Sequence, residues 1–164
     1  MEIWDGYDKE LKKAGVDLIR GNLIPDELYH IVAEVVLRHT DGSFLAMQRD
    51  WNKRGGGLFE ITAGGSILKG EEIEAGAVRE LQEETGIKVE SLSPLYNLTS
   101  DVNQTHYFGY LAYTGAAKDS VTLQEKETID YKWIAEADMA NYILSDEVVF
   151  STRDRVWPNL EPLL

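Results

Sequence analysis

Apolar and polar positions along the chain follow two periods, and the switch between them marks out its elements. Glu2 to Arg20 alternates weakly and turns near Asp8-Lys9-Glu10, which predicts an N-terminal hairpin. His30 to Arg38 (HIVAEVVLR) and Ser43 to Arg49 (SFLAMQR) read as strands joined by Thr40-Asp41-Gly42, whose Asp-Gly pair is a strong hairpin signal. A polar, glycine-rich loop over Trp51 to Gly57 and a short strand over Leu58 to Thr62 follow. Past Gly70 the period lengthens: Ile73, Ala77 and Leu81 recur every four residues, the buried stripe of a helix that Gly86 ends at the C′ position. Val89 to Leu98, Gln104 to Tyr113 and Thr128 to Ile134 return to strand character, with a loop over Ala116 to Glu127. Ala135 to Leu144 and Asp146 to Val156 are predicted helices, the second stopped by Trp157-Pro158. No repeat, low-complexity tract or linker interrupts this order, so residues 1–164 read as a single α/β domain with an N-terminal extension at residues 1–28.

Composition narrows the function classes. A chain of 164 residues is enough to bury a sizeable core, and the absence of cysteine excludes a disulfide framework and thiol chemistry. Sixteen Lys and Arg against 29 Asp and Glu give a formal net charge of −13, which repels nucleic acid and anionic membranes. MEIWDGYDKELKK carries no apolar signal region, and no stretch approaches the ~18 apolar residues of a membrane span. A cytoplasmic protein acting on a small molecule, without nucleic acid or membrane partners, is the expectation; a homodimer stays open.

Three carboxylates carry the candidate chemistry. Glu80, Glu83 and Glu84 stand at i, i+3 and i+4 of the predicted helix, so they share a face, and like charges at that spacing oppose one another by a few tenths of a kcal/mol each. A bound cation would reverse the sign; the competing reading is a solvated acidic face.

The surrounding spacing decides between them. Gly65 to Ile87 reads GSILKGEEIEAGAVRELQEETGI, with Gly65, Glu71, Arg79, Glu80, Leu81, Glu83, Glu84, Gly86 and Ile87 at fixed intervals. This pattern resembles the Nudix box and fills every one of its fixed positions; at ordinary residue frequencies a chance match in a chain this long is on the order of one in 10⁷. The resemblance implies an α/β/α sandwich with a mixed β-sheet. It implies Glu80 and Glu84 as principal metal ligands, Glu83 as a further ligand or water-holding carboxylate, and the carbonyl of Gly64 alongside them. Arg79 would orient the glutamates by ion pairing, and Glu71 would support them. A loop carboxylate after the box often adds a ligand or general base; Glu127, or less well placed Glu125, is the candidate, both preceding Trp133.

Mg²⁺ suits such a set, since it takes carboxylates, waters and phosphate oxygens in octahedral geometry, and Mn²⁺ could replace it. The three histidines, His30, His39 and His106, are scattered and read as packing or surface residues. Arg49 and Lys53 flank the loop that faces the box in this fold and are the candidate substrate cations. Their spacing also resembles isopentenyl diphosphate isomerases, but those enzymes use an active-site cysteine and a Ser-His-Pro element; this chain has no cysteine, and Ala63-Gly64-Gly65 stands in place of that element. Trp51, Phe59 and Tyr107 could stack on a base, though core positions are their commoner fate. The expected activity is Mg²⁺-dependent hydrolysis of the P–O–P bond of a nucleoside diphosphate linked to another moiety, such as a nucleotide sugar, ADP-ribose or a nucleoside triphosphate. The alternative is a non-hydrolytic ligand-binding or regulatory module of the same family.

Overall fold

The computed structural model describes Met1 to Leu164. Two strands, β1 (Ile3–Tyr7) and β2 (Lys13–Ile19), form an antiparallel hairpin apart from the main sheet. Asp8 closes its turn by accepting the N–H groups of Glu10 and Lys12. β1 then joins the body through a reciprocal pair of backbone hydrogen bonds between Tyr7 and Tyr29.

The main sheet is built on β3 (His30–His39), which lies parallel to β8 (Thr105–Thr114) over ten residue pairs. β8 pairs antiparallel with β7 (Ser93–Ser100). The expected turn after β3 forms, with Gly42 at φ 94° and the His39 N–H donated to the Ser43 carbonyl. Its two strands nevertheless pair at only one position, Arg38 with Phe44, before β4 (Phe44–Arg49) swings away. The edge of β3 is taken instead by β6 (Ala63–Ser66), while β4 carries β5 (Phe59–Glu60) on one side and β9 (Thr128–Ile134) on the other. The sheet therefore forks, and box residues Gly64 and Gly65 enter through the fork.

A helix covers one face and two cover the other. α1 (Ile73–Thr85) buries Gly76, Ala77, Leu81 and Thr85 against Ile31, Ala33, Val35 and Leu37 of β3, and Gly86 ends it at φ 74°, donating its N–H to the Gln82 carbonyl. α2 (Glu136–Ile143) and α3 (Phe150–Leu160) place Met139, Ile143, Val156 and Leu160 on a second core that includes Val36, Phe44 and Ile61. The result is an α/β/α sandwich with a mixed sheet. No helix is long and apolar enough to cross a membrane.

α3 departs from expectation at both ends. It starts at Phe150 because residues 147–149 are extended beside β5, where the Phe59 N–H bonds Glu147 and the Val149 N–H bonds Phe59. Nor does Pro158 stop it: the ring fits helical φ and costs one backbone bond, while burial of Val156 and Leu160 on either side holds the last turn. β7 likewise starts later than expected, because Ile87 and Val89 bury into the α1 core as loop residues.

Candidate active site

A cleft of about 720 Å³ opens where α1 meets β6, and Gly64, Gly65, Arg79, Glu80, Glu83, Glu84, Lys53 and Glu127 all line it. Close approach of β6 to α1 and to β3 dictates its glycines. A Cβ on Gly65 would lie 2.6 Å from the Glu80 carboxylate, and one on Gly64 would lie 2.1 Å from the Ala33 carbonyl oxygen.

Arg79 organises the mouth. It grips Glu71 with two nitrogens, Nε to Oε1 at 2.7 Å and Nη2 to Oε2 at 2.9 Å, and reaches Glu80 Oε1 at 2.7 Å and Glu83 Oε2 at 3.3 Å through Nη1. This fork geometry binds carboxylates strongly. The hydrogen bond to Glu71 holds the Arg79 guanidinium well above its usual range, and the same bond holds the Glu71 carboxyl below its own. Glu71 also accepts the Leu68 N–H at 3.0 Å, so it anchors the loop that leads into α1.

Glu84 is in a different state. It accepts one protein hydrogen bond, from the Gly64 N–H at 3.2 Å, and burial pushes its carboxyl up to about 8, with the charges of Glu60 and Glu80 adding to the effect. Burial also raises Glu80, against the opposing hydrogen bond from Arg79. Glu83 is the outlier: it lies more open to solvent, beside Arg79.

The three carboxylates expected to converge thus share one cleft but do not close on one point, and no group of three or more His, Cys, Asp or Glu side chains is gathered tightly enough to hold a metal ion. Arg79 draws Glu80 and Glu83 toward itself, and the Gly64 N–H holds Glu84. The chemistry of the donors still fits a hard cation. Glu84 and Glu80 line the cleft, carry like charge and resist ionisation, and a divalent ion is the partner that would make their negative forms favourable.

The loop before β9 sorts its two candidates. Glu127 lines the cleft and pairs with Lys53, whereas Glu125 is 89% exposed and meets only Lys126. Burial, and then the charge of Arg49, lower the Lys53 amine below its usual range.

Arg49, expected beside Lys53, does not line this cleft. Its Nη1 binds Glu60 Oε2 at 2.6 Å and its Nε the Arg54 carbonyl at 2.9 Å, so the glycine loop folds back on it and turns it into a neighbouring groove. The aromatic candidates also separate: Phe59 is core, Tyr107 lies buried beneath the Arg155 guanidinium at 4.1 Å, and Trp51 is exposed with Gly57 against its ring. The histidines serve packing. His30 stacks on Trp4 at 4.5 Å, His39 meets the Ala116 carbonyl, and His106 bridges Thr99 and the Asp8 carbonyl.

Two contributions went unread in the sequence. Glu2, Trp4 and Arg20 of the N-terminal hairpin form a wall of the cleft, with Arg20 Nη1 on Glu2 Oε2 and Trp4 Nε1 on Glu2 Oε1, both at 2.7 Å. Glu60, on a two-residue strand, is near enough for its charge to act on Glu84. Alternation supplied a signal for each: Glu2 and Trp4 share a strand face, and Glu60 is the polar residue between buried Phe59 and Ile61.

Comparison with known proteins agrees with this architecture. Residues 28–152 match the family model described as NUDIX domain. An uncharacterised Nudix hydrolase of Listeria monocytogenes is 30% identical over 155 residues, covering 91% of this chain and 89% of that protein. Among solved structures, DR0079 from Deinococcus radiodurans superimposes with a TM-score of 0.77 at 17% identity, covering 96% of this chain and 99% of that one. The NUDIX domain of Shewanella oneidensis NrtR, solved in complex with ADP ribose, gives 0.65 at 20% identity, with 96% and 94% covered. With the full box signature set on this fold, the chain belongs to the Nudix family, as a hydrolase of phosphorus-containing acid anhydrides.

Proposed function

We propose that this protein is a Mg²⁺-dependent pyrophosphohydrolase that cleaves the P–O–P bond of a nucleoside diphosphate linked to another moiety. One observation carries the reading: Glu80, Glu83 and Glu84 line one cleft, and Glu84 has a single hydrogen-bond donor, the Gly64 N–H, with only the charge of Lys53 to set against those of Glu60 and Glu80, a cluster that a cation among its oxygens would favour. The ADP ribose held by the Shewanella NUDIX domain supports the substrate class by analogy. Glu80, Glu84, the Gly64 carbonyl and, after release from Arg79, Glu83 would hold the ion. Bound there, Mg²⁺ would neutralise the diphosphate and lower the pKa of a water.

The chain's own residues do the rest. Arg79 and Glu71 fix the helix face from which the ligands project. Of the two cleft carboxylates outside the helix, Glu2 is held by Arg20 and Trp4, and Glu127 takes the role of holding the attacking water, with Lys53 setting its position and meeting substrate phosphate. The N-terminal hairpin closes one side, so the whole chain works as one catalytic domain.

The test is a hydrolysis screen over nucleotide sugars, ADP-ribose, dinucleotides and nucleoside triphosphates, with Mg²⁺, with Mn²⁺ and with chelator, products being identified by mass. A nucleoside monophosphate and the phosphorylated remainder are expected, with ¹⁸O from labelled water in one of them. Label in an unphosphorylated alcohol would mean C–O cleavage and overturn the mechanism. Tight binding with no product would replace it with a ligand-binding role.

A further inference from the structure

Beside the acidic cleft lies a second concavity of about 530 Å³ with the opposite charge. Arg49 at the end of β4, Arg54 of the glycine loop, Arg155 of α3, Asn103 and Tyr107 line it, and Glu60 is its one acidic side chain. In a chain of net charge −13, three guanidiniums around one carboxylate are a local inversion of the protein's field. Two of them are already positioned. Arg155 donates to the buried Glu34 through Nη2 at 2.5 Å and Nε at 3.1 Å and lies over the Tyr107 ring, while Arg49 is held by Glu60. Arg54 is exposed and makes no ion pair. The groove thus presents preorganised guanidinium charge with one uncommitted arm, the arrangement that recognises phosphate.

Its position relates it to catalysis. Glu60, held in the groove by Arg49, stands four residues before Gly64 of the cleft, and its charge reaches Glu84 and Lys53 there, so the two concavities are neighbours. A substrate whose diphosphate sits on the box carboxylates can extend past Glu60 into the groove. We propose that the groove of Arg49, Arg54 and Arg155 binds a further phosphate carried on the part of the substrate remote from the cleaved bond. This rests on the hydrolase reading for the first site and adds a substrate class to it: diphosphates that bear an additional phosphomonoester.

Binding measured without metal separates the two ideas. Adenosine 2′,5′-bisphosphate and AMP differ by one phosphate and are not cleaved by a pyrophosphohydrolase. By calorimetry at low salt, the metal-free wild type should bind the bisphosphate about 10-fold more tightly than AMP, a preference that shrinks as salt rises. Arg54→Ala should abolish most of it, and Arg54→Glu should reverse it. Lys88→Ala, which removes an exposed positive charge outside the groove, should leave it unchanged. Equal affinity of the wild type for both probes, or an undiminished preference in Arg54→Glu, would overturn the proposal even if the hydrolysis screen succeeds. A preference that depends on Arg54 would uphold the groove even if the screen fails.

Discussion

The two concavities on either side of Glu60 solve opposite electrostatic problems. At the groove and beneath it, each carboxylate has a protein partner: Glu34, behind Arg155, is held by that guanidinium and by the Tyr96 hydroxyl at 2.5 Å, and Glu60 by Arg49 and the Thr152 hydroxyl. In the cleft, Arg79 serves Glu71, Glu80 and Glu83, and Glu84 is left with one backbone N–H. A fold that can neutralise Glu34 has the means to neutralise Glu84 and does not. The difference separates a site assembled from the protein's own charges from one completed by a ligand.

Removing the groove's main cation should cost the most stability. Arg155→Ala leaves Glu34, 7% exposed in the middle of β3, without its guanidinium. Breaking a buried pair in this way costs about 3–5 kcal/mol, to be read from urea unfolding. Adding Glu34→Gln should return much of that loss, because the amide still meets Tyr96 and carries no charge. A loss below ~1 kcal/mol in the single variant would show that Glu34 does not depend on Arg155 and would erase the contrast.

The cleft should respond in the reverse sense. Glu84→Gln keeps volume and removes the charge, so kcat with Mg²⁺ should fall at least ~100-fold, about 2.7 kcal/mol of transition-state stabilisation. The metal-free variant should be more stable than wild type, because the cost of burying an ionisable carboxyl and the repulsion from Glu60 and Glu80 have gone. Near-wild-type turnover would remove Glu84 from the site.

Lys53 offers a smaller effect at the boundary of the two regions. It pairs with Glu127 and, in the proposed mechanism, meets substrate without carrying the proton that hydrolysis needs, so Lys53→Ala should raise KM roughly 5- to 10-fold and lower kcat less, the pattern of lost uniform binding. Steady-state kinetics on the best substrate decides it, and an equal fall in kcat with KM unchanged would move Lys53 into the chemistry.

The contrast was only half legible in the sequence. The cleft's helix could be read because its chemistry is local: Glu80, Glu83 and Glu84 lie within two turns, and the Asp41-Gly42 turn and the Gly86 cap are local as well. The groove joins Arg49, Asn103 and Arg155, residues that no local spacing connects. Arg49 was misdirected for the same reason, since its orientation depends on Glu60 and on the path of the glycine loop. Pro158 was overweighted because a breaker's local cost is visible in sequence, whereas the burial of Val156 and Leu160 that offsets it is tertiary. Single-residue pairing of β3 with β4 could not be foreseen, because the competing partner, β6, belongs to the box itself.

The smallest effect concerns the wall that the hairpin gives to the cleft. His30 stacks on Trp4 with planes 16° apart, and its Nδ1 is buried without a partner. Burial lowers its pKa from the ordinary 6.5, the backbone hydrogen bond with Gln104 and then the charge of Glu2 oppose that shift, and His106 adds to it. The folded state therefore prefers the neutral ring. Its contribution is complete above pH 6.5, where the unfolded chain is also neutral, and is lost as pH falls from 6.5 through the lower folded value, because the unfolded state then takes up the proton first. Glu84 and Glu80, whose carboxyls are raised in the fold, push stability the other way over this window, so the readout is a difference: in a Glu84→Gln background, chemical denaturation between pH 7.5 and 5 should show His30→Phe, which keeps a ring against Trp4 and cannot titrate, gaining stability toward acid relative to its His30 parent. An identical slope in the variant would assign the acid sensitivity to other groups, and the hairpin wall would then be indifferent to the charge on His30.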